Sequence, residues 1–520
     1  MENISKKTLI YLIGSFVAGF CLMTVELTAS RVVAPYIGSS VYTWTSVIGV
    51  VLLGLLVGYY WGGKIADKFG RRLSLSLLYG LSAFLIVLIS PIGSVSKLIS
   101  GLDIPLAFIT LLVSLILFFL PAVFLGMLSP VLLKQIVFSV DEVGSRAGLV
   151  SALWSLGSII GTFATGFLFI GFLGSFNTLF LCGALLSLTA LFFSTRRWEM
   201  FFSIFIVLFV IVLFLSGKNF NFEKNVVYLK ESNYYRIAVS DGDIGPQKSL
   251  RTMFLDFDSH SIESKEGESL KTYPEIYPIF GLIKKEINSA FFVGGGSYSM
   301  PKMVSKYYPK IKINVAEIDP EVTKTANNFF NLGQYSINTI EGDGRMVLTK
   351  DNSFYDLIFE DAFNSFISLP WHLTTEEFTN LARQHLSSGG IYAVNFASMT
   401  NGEGDIFLKS MLATFKKVFP KSYVVVLGGS DYYPHNIVLI GINGSDGLSV
   451  DDLQNKIKNI PGSEWLSSKI SDINQWNCDE AIILSDDYAP VERLMSGAIK
   501  VYYPFYRSLY YSLLENKPSI

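Results

Sequence analysis

The sequence predicts two parts in series: a multi-pass α-helical membrane domain over residues 1–216, then a doubly wound α/β domain introduced by a small β region. Three observations predict this. Charged residues make up 16% of the 520, against about 25% in an ordinary soluble protein, and the deficit lies almost entirely before residue 217. Apolar runs of spanning length recur through that first part. Beyond residue 225, short apolar runs alternate with helical patterns, the rhythm of buried strands and their crossovers.

A span needs about 20 mostly apolar residues, and seven segments qualify: 8–30, 41–62, 73–93, 105–133, 147–171, 176–194 and 200–216, the last being the shortest. The opening "KKTLIYLIGSFVAGF" is not a cleaved signal peptide, because its apolar run continues and further spans follow. Lys6 and Lys7 before the first span, Lys64, Lys68, Arg71 and Arg72 after the second, and Arg196 and Arg197 before the seventh mark cytoplasmic ends. "GKIADKFGRR", Gly63 to Arg72, resembles the loop between the second and third helices of major facilitator transporters. That likeness implies a six-helix transporter-like half in which the loop charges pin helix ends; a topology-setting basic loop is the plainer reading. Glu26, with Arg31 beyond it, is a carboxylate deep in the first span, costly enough there to be a functional candidate. The small residues of "SALWSLGSIIGTFATG" read as a close-packing helix face.

In the second part, "VVYLKESNYYRIAVSD" and "RTMFLDFDSHSIES" read as strands and turns of a β region over 217–280 that ends in a linking helix. "SAFFVGGG", "KINVAEID", "FYDLIFED" and "GGIYAVNFA" read as buried parallel strands of a domain over 281–520. Ligands of such sheets sit beyond the carboxyl ends of the strands, and three landmarks fall there. Gly294, Gly295 and Gly296 end the first strand and let a ligand approach the backbone. Glu317 ends the second, 21 residues after Gly296, where a carboxylate can accept both hydroxyls of a ribose. Asp343 in "EGDG" follows, where an acid can accept from an adenine amino group. With the neighbouring Ile318 and Gly344 these residues describe an adenosine-shaped slot. Gly294-x-Gly296-x-x-Ser299 is also a degraded dinucleotide fingerprint, so a nicotinamide enzyme stays open as an alternative, as do glycines that merely turn the chain.

The motifs in order carry a stronger likeness. "ESNYYRIAV", "MFLDFDSHS", "TYPEIYP", "VGGGSYS", "AEIDPEV", "EGDGRMV" and "YDLIFEDAF" resemble the successive motifs of the spermidine synthase family of polyamine aminopropyltransferases. "LSDDYAPVERL", 484–494, resembles the C-terminal signature of the bacterial type fused to membrane helices. The resemblance implies a Rossmann-like S-adenosylmethionine-dependent transferase domain, with S-adenosylmethionine or its decarboxylated form as co-substrate. Carried over by position, Glu317 binds the ribose, Asp343 the adenine, and Asp361 is the catalytic acid, assisted by Tyr273 with Glu275 nearby. "PWHLTTEEF" resembles the stretch after the catalytic strand, with Thr374 or Thr375 as a helix N-cap and His372 as a pocket residue. A carboxylate beside the acceptor nitrogen fits the chemistry, since an amine attacks only as it loses its proton.

Four departures bear on substrate. Ser297 stands where the family has an acid for the aminopropyl ammonium, and Asn364 where it has one for the acceptor. His260 replaces the hairpin glutamine and Tyr235 the glutamine of the opening strand. Losing a carboxylate at position 297 removes an attraction of roughly 1–3 kcal/mol and also a repulsion, so ordinary S-adenosylmethionine is expected to be tolerated as donor. Aminopropyl transfer to an amine or polyamine-like acceptor is the leading expectation. Methyl transfer, internal cyclisation of the donor, and a transporter or sensor that binds without turnover remain as alternatives.

Other classes fall away. A net charge of −2 without a long basic run offers no hold on a nucleic-acid backbone. The four histidines are not at metal-ligand spacing, so no metal is expected. Cys21, Cys182 and Cys478 lie far apart and imply no disulfide framework. The lipid bilayer is the expected surrounding, in the cell membrane, and a homodimer is compatible with the family. Seven crossings would put the α/β domain outside the cell; the donor is made inside, which favours the cytoplasmic side if 200–216 fails to cross.

Overall fold

In the computed structural model, residues 6–92, 99, 104–216, 225–244, 247–256, 258–264, 273–362, 369–428, 434–444 and 447–504 are described. The chain divides into two compact units, Met1–Phe222 with Lys230–Arg236, and Glu223–Leu229 with Ile237–Ile520.

The first unit is helical: α1 Lys6–Ile37, α2 Val41–Phe69, α3 Leu75–Ile92, α4 Leu106–Ile136, α5 Val143–Ala164, α6 Ser175–Phe192 and α7 Arg197–Ser216. A π-helical turn, Thr165–Phe169, carries α5 on to Leu173. Six helices are long and apolar enough to cross a membrane; the third is shorter over its apolar stretch, Leu75–Ile89. Six of the seven expected spans meet that length among the described residues; the third, expected over 73–93, runs into residues outside them, and the last, Arg197–Leu215, has a mean hydropathy of 2.7.

Glycines set the helix contacts. A Cβ on Gly157 or Gly161 of α5 would lie 2.1 or 2.4 Å from the carbonyl oxygens of Phe16 and Phe20 on α1, so the backbones touch as small-residue interfaces allow. Gly58 of α2 meets Val123 and Gly126 of α4 in the same way. The basic loop pins helix ends: Lys134 pairs with Asp67 at 2.8 Å, and Arg71 donates to the carbonyl of Val137 at 2.9 Å. Arg31 does not turn back to Glu26. It donates to the carbonyls of Ser232 and Tyr234, while Glu26 Oε2 is buried without a hydrogen-bond partner among the described residues.

The second unit opens with a four-stranded sheet in sequence order, β1 Val226–Glu231, β2 Arg236–Ile244, β3 Gln247–Leu255 and β4 Asp258–Ser264. After α8, Tyr277–Ile283, comes the main sheet. Its strands are β5 Ser289–Val293, β6 Lys312–Glu317, β7 Ile337–Glu341, β8 Tyr355–Glu360, β9 Leu386–Ser398, β10 Ser422–Leu427, β11 His435–Ile442 and β12 Ile470–Asp472. Between them run α9 Ser299–Tyr307, α10 Pro320–Phe329, α11 Gly344–Lys350, α12 Glu376–Gln384, α13 Ile406–Val418 and α14 Val450–Ile457, and α15 Val491–Leu494 follows. The sheet order is β12-β10-β11-β9-β8-β5-β6-β7.

The four strands expected to be parallel are parallel, with β5 at the centre between β6 and β8. The far edge departs from an all-parallel sheet, because β11 runs antiparallel to both β9 and β10. This is a doubly wound α/β sheet with a parallel centre and a mixed far edge. Its core is a run of buried rings and branched chains, including Phe291, Phe292, Phe359, Ile358, Tyr392 and Val394, all at most 1% exposed. Strands buried on both faces read as continuous apolar runs, which is why they were visible in the sequence.

Candidate active site

Four adjacent strands, β8, β5, β6 and β7, end side by side: Val293 pairs with Glu360 and with Ala316, and Glu317 pairs with Glu341. The residues just beyond them therefore share the carboxyl edge of the sheet. Gly294 turns there at φ +89°, and a Cβ on it would lie 2.5 Å from the carbonyl oxygen of Asp361. Only glycine permits both the left-handed backbone and that approach.

Glu317 is buried and spans the glycine turn. Its Oε2 accepts from the N–H of Gly295 at 2.8 Å and of Gly296 at 3.4 Å, and Oε1 accepts from the N–H of Asp319 at 2.9 Å. Burial raises its pKa, and the backbone donors oppose this. Each carboxylate oxygen has two acceptor sites, so one on Oε1 remains free of these bonds. Ile318, half-buried, follows, and Asp319 caps α10 through the N–H of Glu321.

Asp343 caps α11, its Oδ1 accepting from the N–H of Met346 at 2.9 Å, while Oδ2 lies 2.9 Å from His372 Nε2. The histidine bond is the main cause of its lowered pKa. Gly344 packs against β5, where a Cβ would meet Val293 at 2.4 Å. The loop carrying His372 is tied to α11 by Arg345, which donates to the carbonyl of His372 at 2.8 Å and forms a two-pronged pair with Asp486 at 2.7 and 2.5 Å. Thr375, the N-cap of α12, donates to Asp486 at 2.9 Å. The "LSDDYAPVERL" segment thus anchors the loop beside Asp343.

Asp361 follows β8 and is partly buried. Asn395 of β9 donates to its Oδ1 at 2.8 Å, and the buried Tyr273 hydroxyl bonds to it. Burial first, and the Asp361 charge next, hold the Tyr273 phenol well above its ordinary pKa, so it stays protonated. Glu360, its neighbour in sequence, is wholly buried and pushed up to about 8 by burial.

Ser297 is buried and donates to Glu263 of β4 at 2.6 Å; Ser299 does so at 2.7 Å, and Lys302 pairs with both Glu263 oxygens at 3.0 and 2.8 Å. A carboxylate therefore does stand next to position 297, but a buried lysine already compensates it. Tyr298 takes φ +62°, its ring under Gly295 and its hydroxyl bonded to Thr323 and Thr339.

His260 lies half-buried in β4, and Glu275 is exposed on the turn that begins with Tyr273. Tyr235 is buried within the 230–236 segment that groups with the helical unit. Asn364 lies outside the described residues. The sequence reading gave no role to Glu263, Lys302, Arg345, Asp486 or Asn395, although Arg345 and Asp486 stand in quoted motifs and Glu263 and Asn395 in quoted strands. Among the described residues no cluster of potential metal ligands forms.

No family model matches the chain. It is 27% identical over 301 residues to a probable polyamine aminopropyl transferase of Bifidobacterium longum, covering 55% of this chain and 65% of that protein. To a polyamine aminopropyltransferase of Oceanobacillus iheyensis it is 24% identical over 424 residues, 74% of this chain and 77% of that one. A probable spermidine synthase of Corynebacterium glutamicum superposes with a TM-score of 0.42 at 19% identity, covering 51% of this chain and 97% of its own. The chain thus spans just under two thirds of the first of these relatives. Its similarity is to polyamine aminopropyltransferases, the family that its motifs resemble.

Proposed function

We propose that the chain is a membrane-integrated transferase that moves an alkyl group, most simply aminopropyl, from an S-adenosylmethionine-type sulfonium to a small amine or polyamine. The observation that carries this is the placement of Asp361 beside the Gly294 turn, oriented by Asn395 and Tyr273, two strands from Glu317.

In this reading the spare acceptor site of Glu317 takes a ribose hydroxyl, and the glycine turn lies against the sugar. The acceptor nitrogen attacks the carbon beside the sulfonium, the carbon–sulfur bond breaks, and its electron pair leaves with neutral methylthioadenosine. Asp361 accepts the proton the amine sheds. Tyr273, held protonated, orients Asp361 and does not compete as base. Compensation of Glu263 by Lys302 leaves no net charge beside Ser297, which favours tolerance of a donor that keeps its carboxylate.

The test is product analysis with the purified full-length chain, supplied in turn with S-adenosylmethionine and its decarboxylated form, with and without spermidine or putrescine. Methylthioadenosine appearing together with an alkylated amine supports the proposal. Methylthioadenosine without an amine product indicates cyclisation, S-adenosylhomocysteine indicates methyl transfer, and binding without turnover indicates a sensor. Each of those results refutes aminopropyl-type transfer to an amine. A donor made inside the cell favours a domain on the cytoplasmic side, with Lys6 and Lys7; protease accessibility in intact cells checks this, and cross-linking checks a homodimer.

A further inference from the structure

The exposed side of α2 changes chemistry along its length. Leu53, Leu56, Tyr60, Lys64 and Lys68 recur at three- and four-residue spacing, so they form one stripe, and all are exposed. Gly54, Gly58 and Gly62 lie on the other side, packed against α4. The stripe thus runs from aliphatic to aromatic to cationic toward the helix end. Leu53 and Lys64 are about 16 Å apart along the axis, roughly half the thickness of a hydrocarbon core. Lys64 Nζ donates to the Tyr60 hydroxyl at 2.5 Å and lies 4.3 Å from the centre of that ring and 5.5 Å from that of Trp61. Lys68 lies over the exposed Phe69 at 5.5 Å, and Arg71 over the exposed Phe138 at 3.9 Å. Exposed rings beside cations belong at the headgroup level of a bilayer. Among the described residues no carboxylate pairs with Lys64, Lys68, Arg71 or Arg72: Asp67 is taken by Lys134 at 2.8 Å, and Glu142 by Arg146 at 3.4 Å.

We propose that this end of α2 is a binding site for an anionic phospholipid. The phosphate sits at Lys64 and Lys68, the glycerol lies level with Tyr60 and Trp61, and an acyl chain follows Leu56 and Leu53. Arg71 and Arg72 add to the positive potential that attracts the headgroup. A free phosphate would leave the apolar length of the stripe without a partner, whereas a lipid matches both of its ends. The inference rests on the membrane-integrated reading given under Proposed function and adds the class of lipid that the helical unit selects.

The experiment places the full-length chain in nanodiscs of phosphatidylcholine with and without phosphatidylglycerol, and counts the lipid that stays bound on detergent extraction by native mass spectrometry. The native chain should retain phosphatidylglycerol in preference to phosphatidylcholine. Replacing both lysines, Lys64→Gln with Lys68→Gln, should weaken that retention by about thirtyfold, two cations near the membrane surface being lost. Lys64→Arg with Lys68→Arg should keep it. Lys306→Gln with Lys310→Gln removes the same charge from exposed positions of the α/β unit and should leave retention unchanged. Equal retention of the two lipids by the native chain overturns the inference, a result that needs no variant to fold. Undiminished retention in the Lys64 and Lys68 glutamine pair overturns it too, as does an equal loss in the Lys306 and Lys310 pair, the mark of net charge alone. Displacement of the lipid by inorganic phosphate would reveal a free-anion site and refute the lipid assignment. A chain that does not enter phosphatidylcholine nanodiscs at all would refute the membrane-integrated reading, and this inference with it.

Discussion

Glu360→Gln isolates a buried proton next to the proposed base. Glu360 is 0% exposed, accepts from the Tyr392 hydroxyl through Oε2, and has no partner for Oε1 among the described residues. Burial lifts its pKa from the ordinary 4.5 to about 8, with the charge of Asp361 adding to the rise. Between those values the unfolded chain has lost the proton and the folded chain still holds it. Stability is therefore highest below 4.5, falls as pH rises, and levels off above 8. At about 1.36 kcal/mol per pH unit, the loss between pH 5 and pH 8 is about 3–4 kcal/mol. Glutamine cannot ionise. Its oxygen can still accept from Tyr392, but its NH₂ lacks an acceptor, a pH-independent cost of about 1–3 kcal/mol. The two proteins should thus match in stability between about pH 5 and pH 7 and diverge toward pH 8, the variant being the more stable there. Urea midpoints of the α/β domain, followed by pulse proteolysis of the full-length chain in detergent from pH 5 to pH 8, measure this. Parallel pH profiles would refute the assignment of a neutral Glu360.

Three further predictions concern the edge of the sheet. Asp361→Asn should lower kcat by about 10²- to 10⁴-fold, the usual range for a lost general base, while donor affinity by calorimetry changes little. Glu263→Gln removes one side of the buried pair with Lys302, whose side chains are 2% and 6% exposed. About 3–5 kcal/mol of stability should go with it, seen as a lowered thermal midpoint of the α/β unit, whereas a surface-like loss below about 1 kcal/mol would show the pair to be solvated. Asp486 is held below its ordinary pKa chiefly by Arg345. Its hold on the loop is present above the ordinary 3.8 and lost as pH falls through the lowered value. Asp486→Asn should therefore raise the KM for donor at neutral pH more than it lowers kcat; an equal fall in kcat would instead point to a role in the chemical step.

Much of this was legible because the informative residues are neighbours in sequence. The strand, the glycine turn and the following acid at 293–296, 317 and 361 stand in short stretches whose apolar runs are continuous, so element and landmark read together. The departures have physical causes. The Glu263–Lys302 pair joins β4 to α9 across 39 positions, and Arg345 meets Asp486 across 141; no local pattern announces a partner at that distance. The bonds that Asp343 makes to the N–H of Met346 and to His372 were not legible either, because the histidine lies 29 positions on. The antiparallel far edge escaped notice because register such as Tyr423 with Asp472 depends on non-local pairing.

The most direct measurement is a structure of the full-length chain with S-adenosylmethionine bound. The account predicts ribose hydroxyls on Glu317, the base beside Asp343, and the sulfonium carbon facing Asp361. A nucleoside bound away from the ends of β5, β6 and β8, or a bound sugar with Glu317 turned from it, would contradict it.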